Sequence, residues 1–116
     1  MTTELYKVDE NDLAQLATKI MTWKNIHHMP VEDKHGNFCG LLTWSHIEQF
    51  DKNVEDHATQ LVADIMIKDV TTIRPWEPIE AAVKIVKEKE IGCLPVIREK
   101  ELIGIITKKD LTDFGI

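Results

Sequence analysis

Apolar and polar residues follow two periods along this chain, and the same succession of periods occurs twice. In the first half, apolar residues from Leu13 to Met21 recur three and four positions apart, which predicts an amphipathic helix. Residues 79–86 repeat that spacing in the second half. A short apolar stretch with a proline follows each helix, at 29–31 and at 94–97, and predicts a strand. The pattern therefore predicts two copies of one unit.

The strands after each helix make this internal repeat explicit. Aligning Pro30 with Pro95 also aligns the segments 40–43 (GLLT) and 104–107 (GIIT) that follow. A polar turn separates each proline strand from the next apolar strand, which predicts a hairpin in each copy. Two units of about 58 residues result from this alignment.

Each unit also has a predicted beginning and end. Strands at 5–8 and 70–73 precede the long helices, and Thr43 and Thr107 each open a second, shorter helical stretch. The predicted order in each unit is strand, helix, strand, strand, helix. Residues 57–66 have helical spacing and predict a helical connector.

These elements predict an α/β (α+β) fold with two repeats. We place the first, divergent repeat at 1–56 and the second, which includes the connector, at 57–116. A sheet of three short strands with two helices cannot bury both of its faces alone. Packing the two units sheet to sheet would bury them and would give pseudo-twofold symmetry.

Composition narrows the classes of function. The 116 residues are 43% hydrophobic and 29% charged, as in ordinary globular proteins. A net charge of −6 disfavours nucleic acid and anionic membrane as partners, since both need a basic face. No apolar run approaches the roughly 20 residues of a membrane span, and the N-terminus lacks the pattern of a secretory signal, so we expect a cytoplasmic protein.

The distribution of charge favours the second half as the host of an anion. Residues 1–58 carry five Lys/Arg against ten Asp/Glu, whereas residues 59–116 carry nine against ten. The two cysteines, Cys39 and Cys93, have apolar neighbours, and we expect both to be buried free thiols rather than a disulfide.

Four segments of the second unit resemble the CBS-domain family, whose members occur as tandem pairs. Residues 62–66 (VADIM) and 70–73 (VTTI) are similar to the family's lead-in segment and first strand. Residues 91–96 (IGCLPV) resemble its helix-to-strand element, and residues 104–110 (GIITKKD) resemble its ribose-binding signature. The first unit reads GLLTWSH at 40–46 and matches less closely.

The resemblance implies a regulatory module without chemistry of its own. It implies a pair of clefts between the units that bind AMP, ADP, ATP or an adenosyl compound such as S-adenosylmethionine. We expect no required cofactor. It also implies control of an attached or partner protein, usually by a homodimer. The alternative is a ligand-free CBS dimerisation or interaction module. An enzyme is disfavoured, because no nucleophile with a base, phosphate-cradling glycine loop or pair of catalytic carboxylates is recognisable.

Asp110 is the main candidate ligand residue. An ionised carboxylate can accept hydrogen bonds from both hydroxyls of a ribose, but Thr107 and Asp110 also have the spacing of a helix capping box. Lys108 and Lys109 could contact phosphate at the helix N-terminus or could form a solvated face. The resemblance adds strand and pocket residues, which by sequence alone are ordinary strand and turn positions, with Gly92 as a left-handed helix stop. These are Thr71, Thr72, Ile73, Ile91, Gly92 and Pro95.

A weaker site is predicted in the first unit at Thr43, His46 and His28. His46 stands where the family's ligand-binding units commonly place Asp, and a neutral imidazole offers only one acceptor. All five histidines lie in the first half, which with Cys39 raises a zinc site, but no pair has the spacing of a known metal motif. We expect Trp44 at a subunit contact, where aromatic residues are enriched.

Overall fold

The computed structural model describes residues 6–45, 47 and 60–114 and shows a mixed α/β fold. The chain divides into two compact units, of which the first is Tyr6–Val70 and the second begins at Thr71. The repeat boundary that we predict from the sequence, between 56 and 57, stays a prediction about the repeat, whereas this division is one of packing.

The first unit contains a three-stranded sheet with helix α1 packed on it. Strand β1 runs parallel to β2, and β3 runs antiparallel to β2 on its other side. The backbone is helical again at Trp44, Ser45 and Ile47. The elements are β1 (Val8–Asp9), α1 (Ala14–Lys24), β2 (His28–Glu32), β3 (Phe38–Thr43) and α2 (Val62–Ile65).

The second unit repeats this arrangement with a shorter first strand. Strands β4 and β5 form an antiparallel pair, and Ile73 forms a parallel bridge to Val96 on the outer side of β4. The elements are α3 (Ile79–Lys89), β4 (Cys93–Arg98), β5 (Glu101–Thr107) and the 3-10 helix η1 (Lys108–Phe114).

The strand register confirms the repeat that the proline alignment predicts. Pro30 faces Leu41 in the first hairpin, and Pro95 faces Ile105 in the second. Each hairpin then has an irregularity one residue further along, after Val31 and after Val96. The predicted order of strand, helix, strand, strand and helix is thus present in both units.

Each unit has its own core, built from the same faces. Small residues of the long helix approach the sheet closely, and the branched residues of the hairpin fill the layer below. The first core comprises Val8, Ala17, Met21, Met29, Val31, Leu42, Ile47 and Val62. The second comprises Ile73, Ala82, Val86, Leu94, Val96 and Leu111.

The two long helices end in the same way, and this corrects our expectation for Gly92. Asn25 and Glu90 each take the left-handed conformation, with φ of 54° in both, directly after the last helical residue. Gly92 does not have a positive φ. The left-handed stop is made two residues earlier, by Glu90.

The lead-in strands are shorter than predicted. Strand β1 begins at Val8, while Leu5 lies outside the described residues, and within 70–73 only Ile73 pairs with a strand. The second short helix of the second unit is a 3-10 helix rather than an α-helix, a form common in short terminal pieces.

Residues 60–67 form a strap on the first unit rather than a continuous helical connector. Helix occurs only at Val62–Ile65, and residues 57–59 lie outside the described part. The carbonyl of Gln60 accepts a hydrogen bond from the Ala14 N–H at 2.8 Å, which satisfies the start of α1 where no side chain caps it. At the other end of the strap, Ile67 forms a two-bond bridge with Leu41 on β3, at 2.8 and 3.0 Å.

Within the part of the chain that the structure describes, no helix has the length and apolar character needed to cross a membrane.

Candidate functional site

The hairpin of the second unit brings two of the candidate segments to one end. Cys93, the first residue of β4, pairs with Thr107, the last residue of β5. Ile91 and Gly92, which precede β4, and the turn that begins at Lys108 therefore lie at the same end of the sheet, opposite the hairpin loop.

Ile73 and Pro95 lie deeper in the second unit than a contact role would suggest. The Ile73 N–H donates to the Pro95 carbonyl at 3.0 Å, and the Ile73 carbonyl accepts from the Ile97 N–H at 2.8 Å. Both side chains are buried. Thr71 and Thr72 form no backbone hydrogen bond to another described residue.

Asp110 performs the capping role that the sequence offers as its alternative, with one oxygen. Its Oδ2 accepts hydrogen bonds from the Thr107 N–H at 2.9 Å and from Thr107 Oγ1 at 3.3 Å. No described residue donates to Oδ1, and the side chain is exposed, as are those of Lys108 and Lys109. The turn therefore holds one carboxylate oxygen in place and presents the other to solvent, and the same turn carries Lys108 and Lys109.

The charge of Asp110 reaches the strand beneath it. Burial, together with this carboxylate, raises the pKa of the Cys93 thiol to about 12. Cys93 is therefore a protonated, unreactive side chain under ordinary conditions. Its burial and free state agree with the sequence prediction.

Cys39 differs from our prediction of a buried thiol, because it is only partly buried on β3. Burial and then the neighbouring Glu10 carboxylate raise its pKa to about 11. Neither cysteine forms a disulfide.

A mostly apolar cavity of about 260 Å³ lies in the second unit between the start of α3 and the sheet. Ile73, Val96 and Ile106 form its floor, and Arg74 lies on its rim. The Arg74 guanidinium carbon lies 5.9 Å from the Trp76 ring centroid. The Arg74 backbone N–H donates to Glu77 Oε2 at 2.8 Å. Arg74 is not among the site residues predicted from the sequence, although it is a cation directly after a predicted strand and before a predicted helix.

The corresponding end of the first unit has different chemistry. His28 pairs with Thr43, as Cys93 pairs with Thr107, while His46 lies outside the described residues. Burial, aided by the neighbouring His27, lowers the pKa of His28 below its ordinary value. Thr43 Oγ1 lies 3.5 Å from Ser45 Oγ, so the hydroxyl has a local partner.

No group of three or more His, Cys, Asp or Glu side chains is placed to hold a metal ion within the described ranges 6–45, 47 and 60–114. His46 and His57, two of the five histidines behind the zinc alternative, fall in the gap between these ranges.

Comparison with known proteins identifies relatives along the whole chain. The family described as CBS domain matches twice, at residues 1–51 and 62–115. A CBS domain-containing protein of Dictyostelium discoideum is 30% identical over all of this chain and 88% of its own length. A homoserine O-acetyltransferase of Methanohalobium evestigatum is 32% identical over 97% of this chain, but the chain spans only 22% of that enzyme.

Solved structures share the fold at lower identity. CBSX2 in complex with AMP superposes with a TM-score of 0.82 at 21% identity, covering 98% of this chain and 90% of the other. A CBS domain pair in complex with 5-methylthioadenosine and S-adenosyl-L-methionine has a TM-score of 0.82 at 24% identity, with the same coverages of 98% and 90%. This family is regulatory, so the prediction that the chain is not itself an enzyme is confirmed. The two matched repeats and the fold show that this chain belongs to the CBS-domain family, as a tandem pair.

Proposed function

We propose that the second unit binds an adenosine nucleotide through Asp110 and that its occupancy regulates an attached or partner protein. The observation that carries this proposal is the arrangement at Thr107 and Asp110. One carboxylate oxygen is fixed by the backbone and hydroxyl of Thr107, and the other is exposed. A ribose with two adjacent hydroxyl donors fits such a positioned acceptor, because hydrogen bonds to a charged partner are stronger than neutral ones.

The remaining contacts follow from what surrounds this acceptor. Lys108 and Lys109 supply positive charge for phosphate at the same turn. The backbone groups of Thr71 and Thr72 supply polar contacts for the base. Ile91 and Gly92 contact its apolar side. The buried Ile73 and Pro95 support these residues from inside the unit. Arg74 adds a third cation, beside the cavity of the second unit.

The comparisons support the class of ligand. Two proteins that share this fold were solved with AMP or with 5-methylthioadenosine and S-adenosyl-L-methionine. The choice among AMP, ADP, ATP and S-adenosylmethionine stays a prediction, as do the effector protein and the cytoplasmic location.

We expect one nucleotide per chain. In the first unit, His46 takes the sequence position of Asp110, and Thr43 and His28 complete a weaker site at most. An imidazole cannot accept from two hydroxyls, and a protonated one accepts from none.

A ligand-free interaction module is the second candidate, and the surface of the first unit favours it. Tyr6, Leu16 and Trp23 are 52%, 48% and 80% exposed, and such apolar side chains are available for contact with a partner. We propose a homodimer in either case, with Trp44 near the contact, and sedimentation at high micromolar concentration tests it. A monomer there would reject the dimer.

Isothermal titration with AMP tests the proposed site. We expect Asp110→Ala to weaken binding by about tenfold to a hundredfold, the loss of a charge-assisted hydrogen bond. Asp64→Ala is the matched control, because Asp64 Oδ2 caps the Leu61 N–H at 2.9 Å just as Asp110 caps Thr107. Both variants should lose about 1 kcal/mol of stability, and only Asp110→Ala should lose affinity. If Asp110→Ala bound AMP as tightly as the wild type, Asp110 would be a helix cap only, and the proposed ribose contact would be rejected.

A thermal-shift series with AMP, ADP, ATP, S-adenosylmethionine and GMP identifies the ligand. A nucleotide at 100 times its dissociation constant stabilises the fold by about 2.7 kcal/mol. A flat series would favour the interaction module.

A further inference from the structure

Two aromatic side chains of the first unit contact each other beside Thr43. The rings of His27 and Trp44 have centroids 5.7 Å apart and an interplanar angle of 35°. Their backbones are also joined, because the Trp44 N–H donates to the His27 carbonyl at 2.8 Å. The pair is thus held by a ring contact and by a hydrogen bond that extends the β2–β3 ladder.

The strand register shows which positions of the second unit correspond to this pair. His28 pairs with Thr43, and Cys93 pairs with Thr107. His27, one residue before β2, therefore corresponds to Gly92, and Trp44, one residue after β3, corresponds to Lys108.

The second unit has nothing comparable at these positions. Gly92 has no side chain, and the Lys108 side chain is exposed. Among the described residues, no backbone hydrogen bond joins Lys108 to Gly92. The end of the β2–β3 hairpin therefore carries two rings in contact, whereas the corresponding positions of the β4–β5 hairpin carry a glycine and an exposed lysine.

We propose that the His27–Trp44 ring pair closes the first unit's counterpart of the nucleotide site, and that the protein's own side chains thereby keep that unit from binding. The proposal rests on the proposed function of the second unit. A ligand that contacts the positions of Gly92 and Lys108 in one unit would meet the imidazole and the indole in the other. The two rings would have to separate before a base and a phosphate could take their places.

With the ring pair in place, an acid at position 46 is not enough for the first unit to bind AMP. If the ring pair blocks the first unit, His46→Asp supplies a ribose acceptor to a site that stays closed. The acid and the removal of both rings are needed together.

The number of AMP molecules bound per chain, measured by isothermal titration, decides the matter. We compare the wild type, His46→Asp, and the triple variant His27→Gly/Trp44→Lys/His46→Asp, each checked for folding by circular dichroism. The triple variant is expected to bind one more AMP per chain than His46→Asp. A gain of a site by His46→Asp alone, or an equal number in the two folded variants, would overturn the proposal.

The reciprocal exchange keeps the proposal testable if the triple variant does not fold. Gly92→His/Lys108→Trp installs the ring pair in the second unit and leaves Thr107 and Asp110 unchanged. We expect it to lose at least a hundredfold in AMP affinity. The matched variant Gly92→Ala/Lys108→Ala removes the same lysine without rings and is expected to lose about fivefold, the effect of one exposed charge contact. Equal losses by the two variants would contradict a closing role for the rings.

The two proposals fail separately. The number of AMP molecules bound by the wild type tests the proposed function, since a wild type that binds none rejects it. Once the wild type is shown to bind AMP, the difference between the triple variant and His46→Asp tests the ring pair alone.

Discussion

The first and second units have the same strand order and the same hairpin register, yet they differ at the end of the sheet where a ligand is proposed. Positions 28 and 43 in one unit and 93 and 107 in the other are paired in the same way. One end carries imidazole and indole rings, and the other carries glycine, lysine and a carboxylate. The two units therefore share one backbone arrangement, with equivalent prolines and apolar residues in their hairpins. The side chains at the end of the sheet can differ without changing that arrangement.

The long helices of the two units differ as well. On α1, Leu16 and Trp23 lie seven positions apart on one face and remain exposed, whereas α3 exposes charged residues and only Ile79 among its large apolar side chains. Lys24 partly covers the aromatic residues of the first unit, with its Nζ 5.6 Å from the Tyr6 ring centroid and 4.7 Å from that of Trp23. The first unit therefore exposes more apolar surface on its long helix, and the second has, among its described residues, no ring pair at the end of its hairpin.

The largest effect on stability is expected from substitutions in the two cores. Met29 and Leu94 occupy equivalent positions, and both are fully buried. Met29→Ala and Leu94→Ala should each lower the free energy of unfolding by about 3 kcal/mol, because each leaves a cavity. Urea unfolding followed by circular dichroism measures both. A loss below about 1 kcal/mol in only one of them would show that the two cores are not equivalently packed.

The next largest loss of stability is expected where the strap, residues 60–67, packs on β3. A Cβ at Gly40 would lie 3.0 Å from the Ile67 carbonyl oxygen and would overlap the Met66 side chain. Gly40→Ala should therefore cost about 2 kcal/mol, since the backbone of the strap must shift. Adding Met66→Ala should recover part of this loss in the same urea assay. A neutral Gly40→Ala would mean that residues 60–67 do not pack on β3 as described.

The equivalent residues Cys93 and His28 predict opposite responses to pH. The folded state raises the pKa of Cys93 to about 12, so the unfolded chain loses the thiol proton first as the pH rises. The stability associated with this thiol is fully present below pH 9 and should fall by roughly 1 kcal/mol by pH 10. Cys93→Ala should remove that part of the alkaline loss, measured as the change in urea midpoint between pH 8 and pH 10. An unchanged slope would contradict it.

His28 should act at the acid end. Because burial lowers its pKa, the unfolded chain takes up the proton first, and stability is lost as the pH falls through the ordinary histidine value of 6.5. His28→Gln should reduce the loss between pH 7.5 and pH 5.5, and Cys93→Ala should leave that interval unaffected.

The smallest effect concerns the two left-handed helix ends. Glu90 and Asn25 have the same φ of 54°, but a glutamate tolerates this conformation less well than an asparagine. Glu90→Gly should stabilise the protein by about 0.5 to 1 kcal/mol, and Asn25→Gly by less, in thermal unfolding. Equal gains would show that the side chain at this position does not matter.

The sequence was sufficient for the repeat, the order of elements and the family. Periodicity identified α1 and α3, because a helix that packs on a sheet must place its apolar residues three and four apart. Prolines 30 and 95 marked the first hairpin strands. The capping spacing of Thr107 and Asp110 also predicted their hydrogen bond, because a capping box depends on neighbours three residues apart.

Contacts between distant segments could not be deduced in this way. That the Gln60 carbonyl would satisfy the start of α1, or that Ile67 would pair with Leu41, depends on where the chain returns in space. The left-handed residue that ends α3 is Glu90 rather than Gly92, because the helix already ends at Lys89. The contact between His27 and Trp44 arises because β2 and β3 pair in one register. Local pattern thus determined which elements form, and tertiary packing alone decided which side chains meet, since that depends on long-range register and close approach.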